Sequence, residues 1–189
     1  MTYAQIKQLA LRQMDEDPHD MDEYGDLLGT YINEGYQAAL MDYAKPREEY
    51  ILATDENGDT DVSDKRILSI HEVTEYPKGG NAWATLDALG DKLNTAVRKG
   101  KVRVVAFVTY PEMVEDSEEP KLPNWAHGAL ADYACYRYLC NGNMAKQSRA
   151  QFYLQSYHQT MNRIRPQGMG SVKRTRNLYE ATSATYTRW

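Results

Sequence analysis

Hydrophobic positions three and four residues apart open the chain. Tyr3, Ile6, Leu9, Ala10 and Met14 fall on one side of a helix predicted over residues 2–14, the pattern of a helix with one buried face. Thr2 precedes it as N-cap and Gln5 follows in capping-box position, so two orphan backbone donors are satisfied reciprocally. The acidic run at residues 15–20 contains Pro18, which drives its predecessor out of the α region and ends the helix. A second helix is predicted over residues 22–44, with Tyr24, Leu27, Leu28, Tyr31, Ile32, Gly35, Ala38, Ala39 and Tyr43 turned inward. Asp22, Glu23 and Asp26 crowd its start, where the helix dipole favours negative charge.

After Lys45-Pro46 the period shortens. Residues 49–54 read as a strand and residues 55–59 as a turn, with Asn57-Gly58 supplying the positive φ of a tight hairpin. Residues 66–76 are β-rich: Ile67, Ser69, His71, Val73 and Glu75 alternate with Leu68, Ile70, Glu72 and Thr74. Residues 81–97 are ambiguous, since Trp83, Leu86, Leu89, Leu93 and Val97 suit a helix while Gly90 opposes one. Residues 101–110 carry the clearest strand signal, β-branched and partly alternating, and Pro111 ends it. An acidic linker follows over residues 112–119.

The helical period returns at residue 122. Asn124 is a candidate N-cap, and Trp125, Ala129, Tyr133, Tyr136 and Cys140 form a stripe flanked by Leu130 and Ala134. The Asn141-Gly142-Asn143 turn joins this helix to a last one over residues 144–165, striped by Ala150, Tyr153, Leu154, Tyr157, Met161 and Ile164. Pro166 stops it. The pattern defines an α+β, mainly α chain: an antiparallel helical bundle with a central β-rich insertion and an extended C-terminal arm. The expected units are N-terminal bundle helices (1–44), a β-rich insertion with its acidic linker (45–121), a C-terminal helical hairpin (122–165) and a basic, aromatic arm (166–189).

Composition changes this picture in two ways. The 189 residues carry 22 Lys+Arg against 27 Asp+Glu, a formal net charge of -5. Residues 165–189 hold five bases and only Glu180, so a +4 end is joined to a -9 body. The aromatic content is also lopsided, with 15 Tyr against 3 Trp and 2 Phe. Tyr packs its ring while keeping its hydroxyl partnered, so such a chain points to half-buried surfaces and interfaces. No apolar run approaches the length that crosses a bilayer, and the first residues lack the basic and apolar regions of a secretory signal. The expected setting is therefore the cytoplasm or a particle assembled there, with no membrane partner.

Candidate chemistry is sparse. The segment from Asp55 to Asp61 invites a calcium reading, but the EF-hand requires Gly at position six and Glu at position twelve. Counting from Asp55 gives Thr60 and Arg66, and counting from Asp59 gives Asp64 and Ile70. His19, His71, His127 and His158 have no metal-ligand spacing, and Cys135 and Cys140 lie about 140° apart around a helix. They read as buried free thiols. No phosphate-binding glycine loop or nucleophile motif occurs, so neither catalytic residue, metal site nor cofactor is assigned, and the chain does not read as an enzyme. In the arm, Lys173, Arg174, Arg176 and Arg188 are interleaved with Leu178, Tyr179, Tyr186 and Trp189. That mixture suits a segment which orders on a partner, either an acidic protein surface or nucleic acid.

Several segments together resemble the head-to-tail connector, or adaptor, proteins of tailed double-stranded DNA bacteriophages. They are the opening run Ile6-Lys7-Gln8-Leu9-Ala10-Leu11, the helix from Leu28 to Leu40 centred on Ile32-Asn33-Glu34, and the strand from Val102 to Tyr110 with its acidic lead into Leu122-Pro123. To these are added Leu122-Pro123-Asn124-Trp125-Ala126-His127 and Leu130-Ala131-Asp132-Tyr133-Ala134-Cys135-Tyr136-Arg137, followed by Asn143 and a Tyr-rich last helix. The resemblance implies a non-enzymatic virion protein of the neck, between capsid vertex and tail. It implies a ring of copies, commonly a dodecamer, beneath the portal protein. Such a ring extends the channel through which double-stranded DNA passes without sequence-specific binding, and offers a platform to a downstream tail or neck protein. On that footing the arm residues dock to the portal or a neighbouring copy, while Trp125, Tyr133, Tyr136, Tyr153 and Tyr157 serve helix packing or the subunit interface. A stopper or tail-completion protein of the same neck is the adjacent reading. Two readings come from other classes: a soluble nucleic-acid-binding protein acting through its basic tail, and a small hydrolase using Asp55, Asp59 and Asp61.

Overall fold

The fold was analysed on a computed structural model, which describes residues 1–14, 21–140, 142 and 144–164. It is mixed helix and strand, with four α-helices and two small antiparallel sheets. Helices α1 (Tyr3–Gln13) and α2 (Met21–Ala38) come first, and six strands follow: β1 (Arg47–Ala53), β2 (Asp59–Asp61), β3 (Ile67–Tyr76), β4 (Ala84–Leu86), β5 (Lys92–Thr95) and β6 (Lys101–Val108). Helices α3 (His127–Leu139) and α4 (Met144–Ile164) close the described chain.

Helix α1 starts as its sequence requires. Thr2 Oγ1 accepts from the Gln5 amide at 3.4 Å and Gln5 Oε1 accepts from the Thr2 amide at 3.0 Å, completing the capping box. The acidic linker contributes to the same end. Carbonyls of Glu118 and Asp116 accept from the Tyr3 and Ala4 amides, two of the first-turn donors that a helix leaves unpaired. Residues 112–119 are thus a strap across α1 and α2.

Helix α2 departs from a single run to residue 44. After Ala38 the chain widens into a π-helical turn, Ala39–Ala44, and leaves it through Lys45 in a left-handed conformation before Pro46. Ala39, Leu40 and Tyr43 stay buried through this turn, whereas Leu27, expected inside, is exposed. In α3, Asn124 does not act as N-cap. It opens a 3-10 turn, Asn124–Ala126, and no side chain caps α3. The buried face of α3 is also rotated from the expected stripe, onto Leu130, Ala131, Ala134 and Cys135, leaving Trp125 54% exposed.

Residues from α1, α2, α3 and α4 share one core, whose fully buried members include Ile6, Leu11, Leu28, Ile32, Leu130, Tyr157 and Met161. The strands build a second core from Leu52, Val62, Ile67, Val73, Leu93, Val102, Val104, Ala106 and Val108. Along β6 the inward residues Val102, Val104, Ala106 and Val108 alternate with Lys101, Arg103, Val105 and Phe107, the two-residue period of a half-buried strand.

In the β region a hairpin expectation fails and an ambiguous stretch is resolved. The Asn57-Gly58 turn does not join a hairpin: β1 pairs with β6, from Arg47↔Phe107 to Ala53↔Lys101, and β2 pairs with β5. The turn instead carries the chain from one sheet, ordered β1-β6-β3, into the other, ordered β2-β5-β4. Gly58 does adopt positive φ, at 90°, because its backbone lies against the Thr95 carbonyl and leaves no room for a Cβ. Residues 81–97, where helical spacing and Gly90 compete, resolve as strand rather than helix. They form the β4–β5 pair around a turn at Gly90 (φ 81°), where Asp87 Oδ1 accepts from the Asp91 and Lys92 amides. Side-chain capture of backbone donors by Asp competes with helix formation, and Leu89, a member of the imagined helical stripe, is 82% exposed. In β3, register shifts after Ile67 and after Ile70 break the expected alternation, as bulges do.

Candidate interaction surfaces

The tyrosines assigned to helix packing or a subunit interface are largely engaged within one molecule. Tyr157, on the inner side of α4, is buried, and its hydroxyl donates to the Gly35 carbonyl at 2.8 Å. Its ring meets those of Tyr43, Tyr133 and His158 at centroid distances of 6.3, 5.0 and 5.4 Å. Tyr133 lies so close over Gly35 that a Cβ there would stand 2.8 Å from its ring. Tyr136 stacks edgewise on Tyr133 at 5.9 Å. Tyr153 donates to the Gln13 carbonyl at 2.7 Å, beside a bond from Arg149 Nη2 to the same oxygen, so two α4 side chains hold the end of α1. Burial raises the pKa of Tyr157 and Tyr153 above the ordinary phenol value. Of the five residues singled out on these helices, Trp125 is the one that faces solvent. The arm residues Lys173, Arg174, Arg176, Leu178, Tyr179, Tyr186, Arg188 and Trp189 lie outside the described residues.

Several polar ties escape sequence reasoning because their partners are far apart in the chain. Asn33 is buried on α2, where it donates to the Met113 carbonyl at 2.9 Å and accepts from the Met113 amide at 3.0 Å. His127 is fully buried at the start of α3, where its Nδ1 lies 2.9 Å from the Met1 amino nitrogen while its Nε2 donates to the nearby Leu122 carbonyl at 2.9 Å. Asp132 accepts from Gln13 Nε2 at 2.9 Å and from Ser156 Oγ at 2.7 Å, joining α1, α3 and α4. Burial raises its carboxyl above the usual range, against the pull of those two donors. The one available signal is a polar residue within an apolar helical stripe, and it names no partner.

The residues considered for chemistry are dispersed. Asp55 accepts from the Asn57 and Asp59 amides, both at 2.8 Å, and Asp61 accepts from Ser63. Backbone donors hold both carboxyls below their ordinary range. The Cys135 thiol is buried, donates toward the Ala10 carbonyl at 3.4 Å, and is pushed up to about 12, chiefly by burial. Cys140 is only half-buried, and His158 Nδ1 is 2.7 Å from the Tyr43 hydroxyl. Among the described residues, no group of three or more His, Cys, Asp or Glu side chains is placed to hold a metal ion. No described helix is long and apolar enough to cross a membrane.

Two surface features remain. One is an open groove of about 590 Å³ between α2 and the strap, floored by Gly25 and Gly29 and edged by Asp26, Glu34, Glu112 and the exposed Val114. The other is the outer face of α4, where Met144 is 85% and Phe152 68% exposed. No family model matches the chain, and no curated protein matches it either.

Proposed function

We propose that this protein is a structural component of a tailed-phage neck, a head-to-tail adaptor that forms a ring below the portal. The ring extends the DNA channel and presents an attachment platform to tail or neck proteins. In this reading the four helices are an antiparallel bundle, the strands an insertion into it, and residues 166–189 an extended arm reaching the portal or a neighbouring copy.

The observation that supports it most is the division of the chain into two cores. One is helical and drawn from both sides of the strand region; the other is small, aliphatic and confined to that region. A helical body with a separately cored β module suits a subunit of a stacked ring, where the body meets its neighbours and the module meets the next layer. The acidic groove and strap fit a channel component as well, because negative charge keeps DNA sliding rather than bound.

The test is mass measurement of the full chain alone and after mixing with the portal ring of the same particle. The chain should add to the portal as a closed ring of copies. Deleting residues 167–189 should abolish that addition while the circular dichroism and Tm of the body stay unchanged. A full chain that never joins the portal overturns the reading, and unchanged attachment of the shortened chain overturns the role given to the arm.

A further inference from the structure

Helix α4 has no Asp or Glu among its 21 residues, in a chain whose charged residues make up 26% of the total. The outward side goes further. Gln147, Gln151, Gln155 and Gln159 recur every four residues and all are exposed. At four-residue spacing they form one ridge along the helix. Met144 and Phe152 beside that ridge are exposed too, and its titratable members are His158 and the exposed Arg163, which stands four residues beyond Gln159. Lys146 and Arg149 lie elsewhere around the axis, with Arg149 reaching back to α1.

We infer that this face is a contact surface for a second copy of the same chain, with two α4 helices packed antiparallel across a two-fold axis near Tyr153. Three physical arguments lead there. The first is charge. Eight of the 22 bases and one of the 27 acids lie in residues 144–189, so the preceding 143 residues hold fourteen bases against 26 acids. Two such copies repel one another through most of their surfaces, and like charges brought together in an interface cost several kcal/mol. The α4 ridge is a place where two acidic chains can meet without placing carboxylates opposite carboxylates.

The second argument is hydrogen-bond complementarity. A glutamine amide is both donor and acceptor, so a ridge of glutamines complements itself, as a two-fold contact requires. The third is register. An antiparallel pair centred at residue 153 sets Gln151 against Gln155, and Gln147 against Gln159, of the second copy. Depletion of charge with retention of Met and aromatic side chains is also the composition of an interface core.

The contact is a modest one. A 21-residue helix is about 31 Å long, and covering one face of it buries less than a standard stable interface. The dimer is therefore concentration-dependent. The proposal stands independently of the neck reading, since it concerns the free chain and needs no portal.

Sedimentation equilibrium of the full chain across a wide concentration range tests it. The wild type should pass from monomer to dimer. The double variant Gln151→Glu with Gln155→Glu, at exposed positions that leave circular dichroism unchanged, should weaken the dimer by about tenfold or more, because four carboxylates then converge. The corresponding Gln→Lys pair should be equally impaired alone. An equimolar mixture of the two should associate more tightly than either variant. A wild type that stays monomeric throughout, or a dimer that neither double variant weakens, overturns the inference. Attachment to a portal is read separately, so either proposal can fail without the other.

Discussion

The helical and β parts of this chain are held together by different means. The β core is aliphatic: Val102, Val104, Ala106 and Val108 of β6 pack with Leu52, Val73 and Leu93 from neighbouring strands, and no tyrosine is fully buried among them. The helical core adds directional ties between segments more than a hundred residues apart, such as Tyr157 to Gly35, Gln13 to Asp132 and Tyr153 to Gln13. Strands fix their partners through a ladder of backbone bonds and a side-chain alternation that a one-residue slip would invert. Helices satisfy their backbones internally and need side chains to specify which faces meet. The polar groups buried among the helices supply that specification.

The largest effect should therefore come from Tyr157. Tyr157→Ala removes a fully buried ring from between Tyr43 and Tyr133, and should cost about 3–5 kcal/mol in denaturant unfolding. Tyr157→Phe keeps the ring, loses only the bond to Gly35, and should cost about 1 kcal/mol. Val104→Ala in β6 removes aliphatic volume alone, and lies between the two at about 1–3 kcal/mol. If Tyr157→Phe costs as much as Tyr157→Ala, the hydroxyl tie rather than the packing dominates the helical core.

Asn33 comes next. Asn33→Ala leaves the Met113 amide and carbonyl without their partner, at about 1–3 kcal/mol for each group that stays dry. Beyond the loss in Tm, hydrogen exchange should accelerate at the Met113 amide and along residues 112–119, because the strap loses its buried anchor. It should also accelerate at the Tyr3 and Ala4 amides, which bond to that strap. Protection unchanged at those amides would mean that the strap is held by its other contacts.

How far each region was legible in the sequence follows from the same contrast. The capping box of α1 and the alternation of β6 are local, and both are present as read. The β4–β5 pair was hidden because Trp83, Leu86, Leu89, Leu93 and Val97 imitate helical spacing, while the deciding feature is the capture of two amides by Asp87. The Asn57-Gly58 turn was correctly a turn, yet its hairpin partner was not, since pairing of β1 with the distant β6 is a tertiary fact. Tyrosine content points to half-buried surfaces, of helix packing or of a subunit interface, and the structure places Tyr133, Tyr153 and Tyr157 between helices of one molecule. The glutamine ridge of α4 is local in sequence, but it lies outside the apolar stripe that defines the helix, and polar spacing alone names no partner.

The smallest expected effect separates the two regions by the sign of their pH response. Asp132, buried among the helices, has its carboxyl raised above the usual range by burial. The folded state therefore binds its proton more tightly than the unfolded chain does. Its contribution is fully favourable below the ordinary carboxyl value near 3.9 and is lost as pH rises through the folded value. The carboxyls of the strand region respond oppositely. Glu49 is held low by Arg103, and Asp55, Asp61 and Asp87 by backbone amides. What they contribute is present above the ordinary carboxylate range and is lost as pH falls through their lowered values. Acidification from neutrality should thus first favour the helical part through Asp132 and then, below about pH 4, loosen the strand region. Residue-resolved hydrogen exchange along that titration reads both. Asp132→Asn should remove the helical component and leave the strand component untouched, so the variant gains stability relative to wild type as pH rises from 4 to 7. A flat difference between the two proteins across that range would show that Ser156 and Gln13 already offset the burial of Asp132.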